Sequence, residues 1–177
     1  MTTQAPAATA VQIRAISPAV LSQLRVVDDA GQRMAPFTDS EGGSPLRCCL
    51  RRIRPGEQVA LVSYAPVRRW ARQAGASPGA YDEVGPVFIH PSQCPGPAGT
   101  GFPADLTGAH RVLRAYSAAG QILGGRLASP AELASPASAE SVLAQVLADP
   151  AAAVVHVRAV EFGCFLFEAS RYGQSTS

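Results

Sequence analysis

The segment that most constrains this chain is Glu83-Val84-Gly85-Pro86-Val87-Phe88-Ile89-His90, an apolar run that stops at a histidine. Residues 91–109 follow it, with four Pro and four Gly in nineteen positions and Cys94 four residues after His90. Residues 84–90 read as a strand. The stretch behind it cannot continue a strand or open a long helix, because Pro withholds an N–H and Gly favours turn conformations. A loop of this length inside one domain is uncommon and is usually functional. The fold must therefore carry a strand end beneath a long loop, where scaffolds commonly present reactive groups.

The other segments follow the same rhythm. Residues 11–16 alternate as a strand, and Ser17-Pro18 opens a short helix to about residue 25, with Ser as N-cap and Pro in the first turn. Residues 28–45 read as loop. Residues 46–53 and 58–64 flank Arg54-Pro55-Gly56-Glu57 and read as a hairpin, which makes the first two core strands antiparallel neighbours. Residues 65–77 hold a short helical turn. Residues 110–117 and 121–128 flank Ala118-Ala119-Gly120 as a second hairpin. Residues 139–148 place Val142, Leu143, Val146 and Leu147 at helical spacing, and Asp149-Pro150 ends that helix. Residues 154–160 and 164–169 are the last strands. The reading is an α+β fold: an antiparallel or mixed sheet of about eight strands with two or three short helices, since regular βαβ alternation is missing. One domain is expected over residues 11–171, with disordered tails at 1–10 and 172–177.

Composition narrows the chemistry. All 15 cations are Arg, and the chain contains neither Lys nor Asn. A Schiff-base lysine, a phosphate-loop lysine and a Cys-His-Asn triad are thereby excluded. The net charge of +2 is too small to point to nucleic acid, and the Arg run at 47–54 lacks the interleaved aromatics of a base-stacking platform. No apolar run is long enough to span a membrane, and the first residues lack a signal-peptide pattern. A cytoplasmic, reducing location with free thiols is expected. No cofactor is implied, and a homodimer is compatible with the chain.

Three histidines and four cysteines carry the candidate chemistry. His90 at the strand mouth and His156, in Val154-Val155-His156-Val157-Arg158, are the candidate catalytic acid–base groups. Arg51, Glu83, Cys94, Arg114, Tyr116 and Arg158 are the candidate ligand-binding residues, with a small anionic molecule as the expected ligand class. His90 is expected within about 6 Å of Cys94, Arg114, Tyr116, His156 or Arg158, close enough for direct charge coupling. Cys48, flanked by arginines, is a conceivable nucleophile. His90-Pro91-Ser92 matches half of a two-histidine phosphoesterase pattern, but His156-Val157-Arg158 lacks the second hydroxyl, and no Gly-x-Ser-x-Gly elbow occurs.

Cys48 to Arg51, Pro55-Gly56-Glu57, Tyr64-Ala65-Pro66, the Glu83–His90 segment, Arg114-Ala115-Tyr116, His156-Val157-Arg158 and Gly163-Cys164-Phe165 together resemble the bacterial domain-of-unknown-function family 1203. The resemblance spans about residues 11–171. It implies a bacterial single-domain protein and supplies no activity and no catalytic residues. Enzyme and binding module both stay open. The leading expectation is an anion or small-molecule pocket, with acid–base chemistry through His, at the 83–94 strand end. The alternatives are a protein-interaction module, with an exposed apolar patch or dimer face, and a zinc site using His90 and Cys94, completed by Cys48, Cys49, His156 or Cys164.

Overall fold

The computed structural model describes residues 10–173. Most of the two expected tails lies outside the described residues, although Tyr172 N–H donates to Ala10 O at 2.8 Å. The described residues form eight strands and three α-helices: β1 (Val11–Arg14), α1 (Pro18–Leu24), β2 (Pro36–Asp39), β3 (Glu57–Tyr64), α2 (Pro66–Ala74), β4 (Gly85–Ile89), β5 (Arg111–Ser117), β6 (Ile122–Ala128), α3 (Pro136–Leu147), β7 (Ala152–Ala159) and β8 (Phe165–Arg171). None of these helices is long and apolar enough to cross a membrane. The strands make two antiparallel sheets, one in the order β1-β8-β7-β5-β6 and one in the order β2-β3-β4. The α+β reading holds.

Local chemistry places the elements. Ser17 caps α1, Ser135 and Ser138 form a capping box on α3, and each helix carries Pro in its first turn. Alternation then sorts the large sheet. Leu113, Ala115, Val155, Val157, Phe167 and Ala169 share a core with Leu143 and Leu147 of α3. The opposite face carries Arg114, Tyr116, Val154, His156 and Arg158; Tyr116 and Val154 pack against Val67 and Trp70 of α2. On the same side, Phe165 of β8 joins the core of the small sheet and α1.

Two expectations fail in the same place. Residues 46–53 are not a strand and do not form a hairpin with β3. Both edges of β3 are taken, by β2 and by β4. β2 lies inside the stretch 28–45 that reads as loop; it is a four-residue strand that begins at Pro36, and such short Pro-bearing strands sit at sheet edges. Residues 46–53 instead make a turn tied by bridges at Pro45–Arg52 and Leu46–Phe88. Within it Leu46 is buried in the small-sheet core and Leu50 in the large-sheet core. Leu50 has φ +57°, a conformation costing about 1–3 kcal/mol in a non-glycine residue. Burial of its side chain contributes about as much in the other direction. The turn is thus a staple between the two cores, and it lies against the end of β4.

Candidate metal centre

The Leu46–Phe88 bridge brings the turn beside the end of β4, and Arg47 N–H donates to Phe88 O at 2.9 Å. His90 follows one residue after β4. Its main-chain N–H donates to Cys48 Sγ at 3.3 Å, and its carbonyl accepts from Arg25 Nε at 3.1 Å. The imidazole is thereby held from both sides of its own backbone. Nδ1 lies 3.3 Å from Cys48 Sγ and 3.9 Å from Cys49 Sγ, and the two sulfurs are 3.9 Å apart. Cys94, from the long loop, completes the group: one donor atom from each of Cys48, Cys49, His90 and Cys94 lies within 4.8 Å of every other.

On the other side of the ring, His90 Nε2 lies 3.0 Å from Glu57 Oε1. Glu57, the first residue of β3, is gripped by both terminal nitrogens of Arg51 and also accepts from Arg54 N–H at 3.0 Å. The Arg51 guanidinium holds the Glu57 carboxyl well below the usual carboxylate range, so Glu57 is an acceptor at all ordinary pH. An ionised acceptor at Nε2 selects the tautomer with the proton on Nε2 and leaves the Nδ1 lone pair facing the thiols. Arg51 Nη2 stands 3.1 Å from Nε2 because it shares Glu57 Oε1 with the ring.

The two adjacent thiols are inequivalent. Cys48 is pushed up, by its hydrogen bond to Cys49 and by burial. Cys49 is brought down, chiefly by the hydrogen bond from Cys48, with the main-chain N–H and the guanidinium of Arg51 adding to it. Cys49 is therefore the more acidic thiol of the pair. Cys49 and Arg51 also line a cavity of about 450 Å³ whose other wall is the loop from Pro97 to Asp105.

The expected site residues divide into two groups. His90, Cys94 and Arg51 belong to the cluster just described, and His90 meets the expected proximity through Cys94. Glu83, Arg114, Tyr116, His156 and Arg158 form a second group on the large sheet. Glu83 Oε1 bridges Arg114 Nη1 at 2.9 Å and Arg158 Nη1 at 2.5 Å. His156 is fully buried between the rings of Tyr116 and Phe165, with centroids at 4.7 Å and 5.1 Å, and neither ring nitrogen has a hydrogen-bond partner. Burial, reinforced by Arg158 and Arg114, brings His156 down to about 3. It is a neutral ring closed off from solvent, which corrects its reading as an acid–base group. Three arginines of the run at 47–54 are engaged within the chain. Arg47 is buried and bonded to Phe165 O at 2.7 Å, Arg51 is paired with Glu57, and Arg52 donates to main-chain oxygens of Asp105 and Gly43. Glu57 is the residue of this site that the sequence did not single out. The Pro55-Gly56 turn pointed to where Glu57 sits, but nothing local tied it to His90.

The family model for proteins of unknown function DUF1203 matches residues 43–171, a span that holds the whole cluster from Cys48 to Cys94. The chain belongs to DUF1203. No curated protein and no solved structure matches the chain.

Proposed function

We propose that Cys48, Cys49, His90 and Cys94 bind a zinc ion that ties the 91–109 loop and the 46–53 turn to the end of β4. The observation that carries this reading is the spacing of the donors. With Zn–S near 2.3 Å and Zn–N near 2.0–2.1 Å, a tetrahedral site needs S···S of about 3.8 Å and S···N of about 3.6 Å. The Cys48–Cys49 separation of 3.9 Å and the Nδ1 distances of 3.3 Å and 3.9 Å straddle those values. The donor set of three sulfurs and one imidazole suits zinc. Glu57 on Nε2 is the outer carboxylate that a metal-bound histidine normally has. Three thiolates around Zn²⁺ leave one negative charge, and Arg51 stands beside it. Four protein ligands close the coordination shell, so the role is structural.

The test is metal analysis of protein purified without a histidine tag. One zinc per chain is expected in the parent protein, and a large loss of zinc in Cys94→Ser. Cys94 is half-buried and comes from a loop, so this variant retains the core. Zinc well below one per chain in the parent protein sinks the proposal. A second reading has one observation in its favour: Cys49, the more acidic thiol of the pair, lines the 450 Å³ cavity and would serve there as a nucleophile on a small molecule. That reading requires a zinc-free protein whose Cys49 is rapidly alkylated, so the same preparation separates the two.

A further inference from the structure

A second cavity, of about 460 Å³, opens on the other side of the 46–53 turn, between the two sheets. It shares no lining residue with the zinc cluster. Its polar wall consists of Arg47, Arg52 and Arg111, and the facing wall includes Leu61, Phe88 and Leu166. Arg47 and Arg111 are each only 4% exposed. Burying a guanidinium is costly unless its donors are met and its charge is compensated. Here neither condition is complete. Arg111 Nη1 and Nη2 reach the carbonyls of His110 and Leu106, but its buried Nε has no hydrogen-bond partner. Arg47 spends Nε and Nη1 on the carbonyls of Phe165 and Pro45, which are neutral acceptors. Burial pulls both guanidiniums below their ordinary range, as expected where counter-charge is deficient.

The one carboxylate lining the cavity is Glu161, 4.0 Å from Arg111 Nη1. Its side chain is 57% exposed, so solvent screens much of that attraction. Three guanidiniums therefore face one carboxylate. The apolar wall continues outward to the half-exposed Leu61, and Phe162 at the rim is 86% exposed. A cationic floor with an unmet donor and an apolar mouth match a ligand with an anionic head and an apolar tail.

We infer that this cavity binds an amphipathic organic anion, with its head group on Arg111 and Arg47 and its tail along Leu61, Phe88 and Phe162. Calorimetric titration with octanoate as probe tests this. Saturable 1:1 binding is expected, with octan-1-ol at least about tenfold weaker because it carries the same tail without the charge. Arg111→Gln should weaken octanoate at least about tenfold. Arg111 is buried, so a second variant guards against misfolding: Glu161→Gln alters an exposed side chain, removes the repelling carboxylate and should tighten octanoate. No saturable octanoate binding up to about 5 mM, equal binding of octanol, or unchanged or weaker octanoate binding in Glu161→Gln would overturn the inference.

Discussion

His156 lies on β7, the central strand of the large sheet, and its register neighbours are Arg114 on β5 and Glu168 on β8. With both ring nitrogens buried and unbonded, the ring is tolerated only in its neutral form. The unfolded chain takes up a proton near pH 6.5, whereas the folded chain does so only near 3. Between those values the unfolded state binds more protons, so stability rises with pH and is lost on acidification, by up to about 1.4 kcal/mol per pH unit. Denaturant unfolding from pH 7.5 to 5 should show this decline in the parent protein and a flatter profile in His156→Leu. His90 and His110 are common to both chains, so a difference between them that does not change with pH would remove the argument. His156 also shows what a residue pattern conveys. Alternation on β7 puts His156 and Arg158 on one face. Whether that face meets solvent or another layer depends on α2, which is distant in sequence, and on Phe165 of the neighbouring strand, so a buried ring was read as a reactive one.

Among the elements, the turn before residue 46 is under the tightest backbone constraint. Gly42 has φ +73°, and a Cβ there would lie 2.8 Å from Ile53 O and 2.8 Å from the Pro55 ring. Gly43 has φ +85° but open space around it. Gly42 N–H donates to Asp39 Oδ1 and Gly43 N–H to Ile53 O, so this turn sets how residues 46–53 lie against the head of β3. Gly42→Ala is expected to destabilise by about 2–4 kcal/mol, through the left-handed backbone and the overlap together. Gly43→Ala should cost only about 1 kcal/mol, from the backbone term alone. Equal losses in thermal or chemical unfolding would show that the close contact does not matter. The segment 46–53 was misread as a strand because it and residues 58–64 flank the Pro55-Gly56 turn in the manner of a hairpin. Its bonding went instead to two isolated bridges, since β2 and β4 occupy the edges of β3. The helices, the strand ending at Ile89 and the β5–β6 hairpin were legible, because caps, prolines and tight turns act within a few residues.

At the scale of the whole molecule, the cluster of Cys48, Cys49, His90 and Cys94 joins three pieces of chain: the turn, the end of β4 and the long loop. The loop's other anchors lie in its second half, a short 3-10 turn at Ala104–Leu106 and two side chains, Phe102 and Leu106, buried in the large-sheet core. Chelation of the metal should therefore lower the melting temperature and raise amide exchange most in residues 91–101, while β5, β7 and β8 stay protected. Uniform exchange across the chain, or none above the parent level, would contradict a metal-anchored loop. The sequence by itself determined the α+β class, the strand that stops at His90, the loop behind it, and the exclusion of lysine and asparagine chemistry. Each of these is set by composition or by neighbours within a few residues. Only the tertiary structure decided that His90 answers to Cys48, Cys49 and Glu57 rather than to His156 and Arg158. Cys48 stands 42 residues from His90, and the contact exists because Leu46 bridges to Phe88 beneath it. A pairing of that kind is won by burying two cores together, and no local pattern records it.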